Sequence, residues 1–363
     1  GMLPLIIYFQ YEAPAFSFLA NVAAVPLATC AFTLAFLLIF LPYTVFHEAI
    51  SWMIQGVLWI SRQSYGMLTI GHVPFLWVLL FYFMTGLWIW KKNGQNRHIR
   101  ISLAYVIMII LIWIPMARRK SLAFLDVGQG DCFVADTKSG AIIFDGGSSS
   151  EDQVGRYRIL PYMKYLGYQK IQIAVISHMD IDHYSGIKEL LEMGKIKYLG
   201  LPEIPKDETM KKIIGIAKKR GTTIFYLSRG RQITTKDGSL KVLHPQKNSQ
   251  MEKNAASLVM QGKILGYRVL LTGDVEKEGE EELLSEELER ADILKAAHHG
   301  SKNSTSNEFL QKVQPKQTVI SCGKQNRYGH PHLETIHRLQ TYRTKIYRTD
   351  RSGAIIFFKR RDG

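Results

Sequence analysis

Four side chains that can bind a metal ion lie within the short run SHMDIDH: His178, Asp180, Asp182 and His183. The run follows a continuously apolar segment, IQIAVIS, and precedes a helix-like stretch. It is therefore predicted to leave a buried strand and enter a helix. Alternate residues of an extended segment project to one side, and His183 joins them where the helix begins. So much polarity and charge is stable near a core only if cations neutralise it, which predicts a metal site.

Further candidate ligands lie at the ends of other strand-like runs. Asp274 closes RVLLTGD, His298 and His299 close DILKAAHH, and Asp145 ends AIIFDGG, where two glycines permit a tight turn. In layered α/β folds, the edge where strands end is the place at which sites are built. Neighbouring residues of a strand point in opposite directions, so the spacing leaves open which of the two histidines is a ligand.

The pattern of apolar and polar residues changes at Ser121. From there on, short β-rich runs alternate with helix-like stretches. Strands that are apolar throughout are buried on both faces, and this pattern predicts layered α/β packing. We expect 121–363 to form one compact domain and 1–120 to form another.

Residues 1–120 are strongly apolar. The runs 16–41, 73–90 and 101–115 predict transmembrane helices, the last of them only with tilt or local thinning of the bilayer. Between the first two, 46–60 repeats apolar residues at helical spacing, as an amphipathic interfacial helix does. The lipid bilayer is therefore a predicted partner. Basic loops on both sides of the third run leave the orientation open.

The chain carries a formal net charge of +15, from 46 basic and 31 acidic residues. Residues 1–120 hold eight of the basic and two of the acidic ones, which leaves 38 basic and 29 acidic residues in 121–363. This excess suits a polyanion such as DNA or anionic lipid headgroups, or it forms a solvated basic surface. The three cysteines are widely spaced, which argues against a disulfide framework or a structural zinc site. Since Gly1 stands within an apolar stretch, we expect a fragment of a longer protein.

Five motifs resemble the ComEC family of competence DNA-uptake channels, which carry a metallo-β-lactamase-superfamily domain. They are FLDVGQGD (124–131), SHMDIDH (177–183), LLTGD (270–274), AHHGS (297–301) and NRYGHPH (326–332). LANVAAVPLAT resembles the end of that family's membrane domain. The resemblance implies an αββα metallo-β-lactamase sandwich preceded by an all-α transmembrane segment. It also implies a multi-pass cell-membrane protein with an extracytoplasmic catalytic domain, which internalises DNA in natural transformation with other competence proteins.

The same resemblance implies two divalent metal ions. It places His178 and Asp180 on the first ion, Asp182, His183 and His299 on the second, and Asp274 between them. Two departures from the family pattern stand out: Asp180 replaces a histidine, and Asn254 lies roughly where another histidine is usual. Both increase the share of oxygen ligands, which shifts the metal preference from zinc toward manganese or magnesium. We expect manganese first and zinc second.

The resemblance also implies roles around the metals. Asp182 would orient the attacking hydroxide, and Asp145 would orient ligands from outside the centre. His298 is a candidate donor to a phosphate oxygen or the leaving group. In NRYGHPH, the side chains of Arg327, His330 and His332 are candidate phosphate contacts, with a purely structural turn as the alternative.

Three functions fit these features. The first is a metal-dependent nuclease fused to a DNA channel. The second is a membrane-tethered phosphodiesterase acting on cell-envelope phosphoesters, which has no need of several spans. The third is a non-catalytic DNA-binding channel subunit, which has no need of a polar metal cage. We therefore expect the first.

Overall fold

The computed structural model describes residues 2–14, 17–40, 44–62, 66–90, 99, 102–103, 106, 119–251, 254–286 and 288–360. The chain divides into two compact units, Gly1–Pro115 and Met116–Gly363.

The described part of the first unit consists of helices and one short β pair. The helices are α1 (Leu3–Gln10), α2 (Ser17–Leu37), α3 (Thr44–Arg62) and α4 (Phe75–Trp90). Strand β1 (Glu12–Pro14) pairs antiparallel with β2 (Met67–Thr69).

The prediction of an all-α segment is wrong at this β pair. Tyr11 ends α1 with a left-handed backbone (φ 60°), and its N–H donates to Ile7 O at 2.8 Å. The chain then runs into β1 in an extended conformation, so its backbone groups need a partner outside a helix. Strand β2 supplies that partner, and Tyr11 O accepts further hydrogen bonds from the N–H groups of Ile70 and Gly71.

The apolar runs predicted at 16–41, 46–60 and 73–90 coincide with α2, α3 and α4, and α2 packs against α3. The run at 101–115 lies outside the described residues, apart from 102–103 and 106. Among the described helices, none combines the length and the continuous hydrophobicity required to cross a membrane. The predicted transmembrane segment is therefore not confirmed.

The second unit is built around two seven-stranded sheets. In spatial order, the first sheet consists of β16 (Ile355–Phe358), β3 (Ser121–Phe124), β4 (Phe133–Thr137), β5 (Gly140–Phe144), β6 (Ile171–Val175), β7 (Ile196–Pro202) and β8 (Thr223–Leu227). In the same way, the second sheet consists of β15 (Lys345–Arg348), β14 (Gln317–Ile320), β13 (Ile293–Lys295), β12 (Tyr267–Leu271), β11 (Val259–Ile264), β10 (Gly238–His244) and β9 (Gln232–Thr235).

The two sheets share one plan. In the first, neighbours from β16 to β5 are antiparallel and neighbours from β5 to β8 are parallel. In the second, neighbours from β9 to β12 are antiparallel and neighbours from β12 to β15 are parallel. Parallel strands require crossover connections, and helices provide them.

Helices follow many of these strands. They are α5 (Leu160–Tyr165), which continues a π-helical turn (Gly155–Ile159), α6 (Ile181–Glu192), α7 (Glu208–Lys219), α8 (Lys277–Leu284), α9 (Asn307–Val313), α10 (Leu333–Thr341) and α11 (Thr349–Ser352), with a 3-10 turn at Ala297–Gly300.

The apolar core has three layers, because side chains alternate across each strand. In β5, Ile142 faces the layer between the sheets, whereas Ile143 faces the layer under α6 and α7. In β13, Ile293 faces the shared layer and Leu294 faces the layer under α9 and α10. Each sheet is thus covered by the other sheet on one face and by helices on the other, which confirms the predicted αββα sandwich.

The strand arrangement also determines where functional side chains can lie. Strands β5 and β6 are parallel, with Phe144 beside Val175 in register, and β12 and β13 are parallel, with Leu270 beside Leu294. The carboxyl ends of each pair therefore reach the same edge of their sheet. The segments that follow those ends carry most of the predicted site residues, whereas Asn254 precedes β11 and Arg327 and His330 follow β14.

Candidate metal centre

Two histidines and two carboxylates meet at this edge, which we call the metal centre: Asp131, His183, Asp274 and His299. All four are buried, and one ligand atom of each lies within 4.8 Å of every other. Asp131 comes from the loop between β3 and β4, and His183 from the first turn of α6. Asp274 follows β12, and His299 lies in the 3-10 turn after β13. Both sheets therefore contribute.

The carboxylate of Asp274 lies close to both imidazoles of the metal centre. Its Oδ2 lies 3.1 Å from His183 Nε2 and 3.3 Å from His299 Nε2. On the other side of the centre, Asp131 Oδ1 lies 3.4 Å from His299 Nδ1. Predicted ligands His183, Asp274 and His299 are thus brought together, and Asp131 joins them.

Groups outside the centre hold both imidazoles by their Nδ1 atoms. Asp145 Oδ2 lies 3.0 Å from His183 Nδ1, and its Oδ1 accepts a hydrogen bond from Ser177 N at 2.7 Å. His299 Nδ1 donates to the carbonyl oxygen of Ser321 at 2.9 Å. Such contacts set the ring orientation and turn Nε2 toward the centre, as they do around metal-ligating histidines.

Unpartnered polar atoms show that the donor set fits a metal ion. Buried atoms without a hydrogen bond include Nε2 of His178, His183 and His299 and Oδ1 of Asp131 and Asp274. An unpartnered buried polar atom costs on the order of 1–3 kcal/mol, so several facing one another require a common partner. A divalent cation is such a partner, and imidazole with carboxylate suits zinc or manganese.

A protein-family model described as the metallo-beta-lactamase superfamily matches residues 125–324, more than half of the chain. The chain belongs to this superfamily. Membership and the buried Asp/His cluster together support a metal-dependent hydrolase domain that binds a divalent metal ion.

Two curated relatives of this superfamily member match most or all of the chain. ComE operon protein 3 of Bacillus subtilis is 31% identical over 100% of this chain and 51% of its own length. Competence protein ComA of Neisseria gonorrhoeae is 30% identical over 66% of this chain and 32% of its own length. The chain spans about half or less of these relatives. They confirm the resemblance to the ComEC family that the motifs predicted.

A solved structure is similar as well. The metallo-beta-lactamase fold protein YhfI from Bacillus subtilis is 12% identical, with a TM-score of 0.46 over 65% of this chain and 99% of that chain.

A buried lysine lies beside the metal centre of this metallo-β-lactamase domain. Lys295, the last residue of β13, forms an ion pair with Asp131 Oδ2 and lies 3.7 Å from Asp274 Oδ1. Its Nζ also donates to Gly273 O at 3.2 Å. Although burial lowers the pKa of Lys295, the two carboxylates raise it above its usual value, so the side chain is a fixed cation.

The pKa values of the two imidazoles respond to these carboxylates. Burial by itself lowers the pKa of His183, but Asp274 and Asp145 raise it well above its usual value. The pKa of His299 is raised against burial by Asp274 and Asp131. Because a metal binds neutral imidazole, it has to displace protons from both rings.

Asp182 lies at the rim, with Oδ2 3.4 Å from His299 Nε2. Burial raises its pKa, but the neighbouring imidazoles of His299 and His183 outweigh burial and lower it to about 2. Asp180 precedes α6, and its Oδ2 lies 3.6 Å from His178 Nε2. The ring of His178 stands 4.1 Å from that of His183, so this pair adjoins the metal centre.

The two neighbouring histidines of the AHHGS motif differ in surroundings. His299 is buried in the centre, whereas His298 is partly exposed. His298 Nδ1 lies 2.9 Å from Glu276 Oε1, and its Nε2 lies 3.9 Å from Asp274 Oδ2. Both residues have left-handed backbones (φ 47° and 52°), which turns the two rings apart.

The remaining predicted residues lie around the solvent-exposed side of the metal centre, which we call its mouth, or behind the centre. The ring of His330 stands 5.4 Å from that of His298, and burial and the neighbouring histidines lower its pKa to about 4. Arg327 is exposed, and its pKa is raised by Tyr328 and, more weakly, by Asp182. Asn254 O accepts a hydrogen bond from Ser257 N, and Ser257 Oγ accepts one from Asp274 N. His332 Nδ1 accepts from Lys302 N.

Two residues in or beside the metal centre were not predicted from the sequence. Asp131 ends the motif FLDVGQGD, which carried the family resemblance without being assigned a ligand. Lys295 interrupts the apolar run DILKAAHH, and a charge inside a strand that is otherwise buried was the available signal.

Proposed function

We propose that this chain hydrolyses phosphodiester bonds in DNA with divalent metal ions bound at the metal centre. The observation that carries the proposal is the set of unpartnered, buried Nε2 and Oδ1 atoms contributed by both sheets. Manganese is the first choice because carboxylate oxygens are numerous beside the imidazoles, with zinc and magnesium as alternatives.

Two ions remain the proposed stoichiometry. The centre offers one set of donors in Asp131, His183, Asp274 and His299. Beside it, His178 Nε2 is buried and lacks a hydrogen bond, and Asp180 lies 3.6 Å from it. This neighbouring pair supports a second ion.

The residues around the centre have distinct tasks in the proposed reaction. Divalent cations supply charge stabilisation for the phosphoryl oxygens and lower the pKa of a water. Asp182, whose Oδ2 lies 3.4 Å from His299 Nε2 at the rim of the centre, accepts a hydrogen bond from the attacking water and orients it. His298 is partly exposed at the mouth and donates a proton to the leaving oxygen. The guanidinium of Arg327 attracts the phosphate.

DNA is proposed as the substrate on two grounds. Two relatives match most or all of this chain: ComE operon protein 3 and Competence protein ComA. The excess of basic residues in 121–363 suits a polyanion. We further propose that 1–120 is embedded in the cell membrane, that 121–363 acts on the extracytoplasmic side, and that other competence proteins are partners in DNA internalisation.

The test is a cleavage assay with the whole chain purified in detergent. Metal is first removed with a chelator, and manganese, magnesium and zinc are then titrated separately against labelled DNA. The proposal expects no cleavage in chelator and restored cleavage with manganese. Equal cleavage with and without chelator, or none with any of the three metals, would disprove it.

A further inference from the structure

An exposed tyrosine and arginine lie on the loop 326–332, which borders the metal centre. The side chain of Tyr328 is 42% exposed. The guanidinium carbon of Arg327 lies 4.9 Å from the centroid of the Tyr328 ring, and Arg327 Nη2 donates to the tyrosine hydroxyl at 2.7 Å. The guanidinium thus lies against the tyrosine by a cation–π contact, while much of the ring stays open to solvent.

A series of ring contacts connects Tyr328 to the metal centre. Its ring stacks on that of His330, with centroids 5.7 Å apart and planes inclined by 21°. The ring of His330 in turn lies 6.1 Å from that of His299, inclined by 31°. The tyrosine is therefore separated from a proposed metal ligand by a single intervening ring.

The loop is held in place by its own hydrogen bonds. The Asn326 side chain donates to the carbonyl oxygens of Gly323 (2.9 Å) and His330 (2.6 Å), and it accepts from His330 N (2.9 Å). His332 N donates to Gly300 O at 3.0 Å, which fixes the loop to the turn that carries His299. A rigid loop binds a ligand without a large ordering cost.

We propose that Tyr328 and Arg327 form a nucleotide subsite, in which the tyrosine ring stacks on an unpaired base and the guanidinium contacts an adjoining phosphate. The inference rests on the proposed function and specifies its substrate as DNA with single-stranded character at the cleavage point. Aromatic rings stack on any base, whereas bases of an intact duplex are already stacked on one another. Arginine binds phosphate through its planar fork of donors.

Binding is measured with the whole chain in detergent and in chelator, so that cleavage does not interfere. The probes are a labelled oligothymidylate of about 12 nucleotides and an abasic oligonucleotide of equal length, which retains the phosphates and lacks the bases. Phe358→Ala serves as a matched control, because Phe358 is exposed and also has an arginine over its ring, Arg119. Phe358 pairs with Ser121, which lies at the end of β3 that is farther from Asp131 along the chain.

Tyr328→Ala is expected to weaken binding of oligothymidylate by about five- to tenfold, the lower part of the range for loss of one stacked base. It leaves binding of the abasic oligonucleotide unchanged. Tyr328→Phe keeps the parent's difference in affinity between the two probes, because it retains the ring, and Phe358→Ala binds both probes as the parent does. Arg327→Gln weakens binding of both probes by the same factor, because phosphate is common to them.

The subsite is overturned if Tyr328→Ala leaves binding of both probes unchanged or weakens both equally, or if Phe358→Ala weakens oligothymidylate binding as much. Cleavage of the abasic oligonucleotide by the parent chain with manganese tests the proposed function separately. A parent that cleaves neither probe contradicts the phosphodiesterase, whereas a loss of base-dependent binding contradicts only the subsite.

Discussion

Replacing Asp131 with asparagine should destabilise the metal-free chain, because Lys295 then loses its main counter-charge. Both side chains are buried, at 5% and 6% exposure, so water cannot take over the role of the carboxylate. Breaking a buried ion pair on one side costs about 3–5 kcal/mol. Asp274 remains 3.7 Å from Lys295 Nζ, and Gly273 O still accepts its hydrogen bond. We therefore expect the lower limit, about 3 kcal/mol.

That loss corresponds to a large shift in melting temperature. For a domain of this size, 1 kcal/mol shifts the midpoint by about 2–4 °C, so Asp131→Asn should melt about 6–12 °C below the parent in chelator. The assay is thermal unfolding followed by circular dichroism. Adding manganese should raise the midpoint of the variant less than that of the parent, because a ligand has been lost.

A second substitution distinguishes the ion pair from a general packing defect. Lys295→Met removes the unpaired cation and keeps an apolar side chain of similar length. The double variant, Asp131→Asn with Lys295→Met, should recover most of the lost stability in chelator, since replacing a buried pair entirely is close to neutral. An Asp131→Asn variant that melts with the parent would refute this reasoning. So would a double variant less stable than either single one.

Three further outcomes are expected. Asp182→Ala and Asp274→Ala should abolish DNA cleavage. The control Asp292→Asn should retain it, because Asp292 precedes β13 at the end away from the metal centre. Cleavage by either alanine variant at the parental rate contradicts the mechanism. In chelator, melting temperature should be highest between about pH 4 and 6.5. The lowered pKa of Asp182 stabilises the fold, and this stability is lost as pH falls through about 2. The raised pKa of His183 also stabilises the fold, and this stability is lost as pH rises above the ordinary pKa of histidine. A flat profile contradicts both shifts. DNA affinity should fall steeply with added salt, because neutralised phosphates release counterions, and a salt-independent affinity places the basic charge elsewhere.

The sequence predicts the sandwich because the signals for it are local. Continuous apolar runs such as IQIAVIS identify strands that are buried on both faces, and their order with helices leaves few arrangements. Asp274 could be placed at the site for the same reason, since it follows such a run, whereas the preference for His299 over His298 came from the family resemblance. The apolar runs that identify the strands therefore also locate the site, because site residues follow the strand ends.

The missed residues depend on contacts between distant parts of the chain. Asp131 follows Gly128, Gln129 and Gly130, so by itself it reads as a turn residue. Its proximity to Lys295 arises only when the two sheets stack, because the two residues belong to different sheets. The short pairing of β1 with β2 has the same character, since Glu12 and Thr69 are far apart in the sequence. Local patterns do not contain such pairings.

The central claim is that Asp131, His183, Asp274 and His299 hold a metal ion. Anomalous diffraction at the manganese absorption edge, from crystals of the chain grown with manganese, tests it most directly. We expect an anomalous peak among the four side chains, in contact with Nε2 of His183 and of His299. An occupied manganese site elsewhere in the chain, with no peak at this cluster, would contradict the assignment.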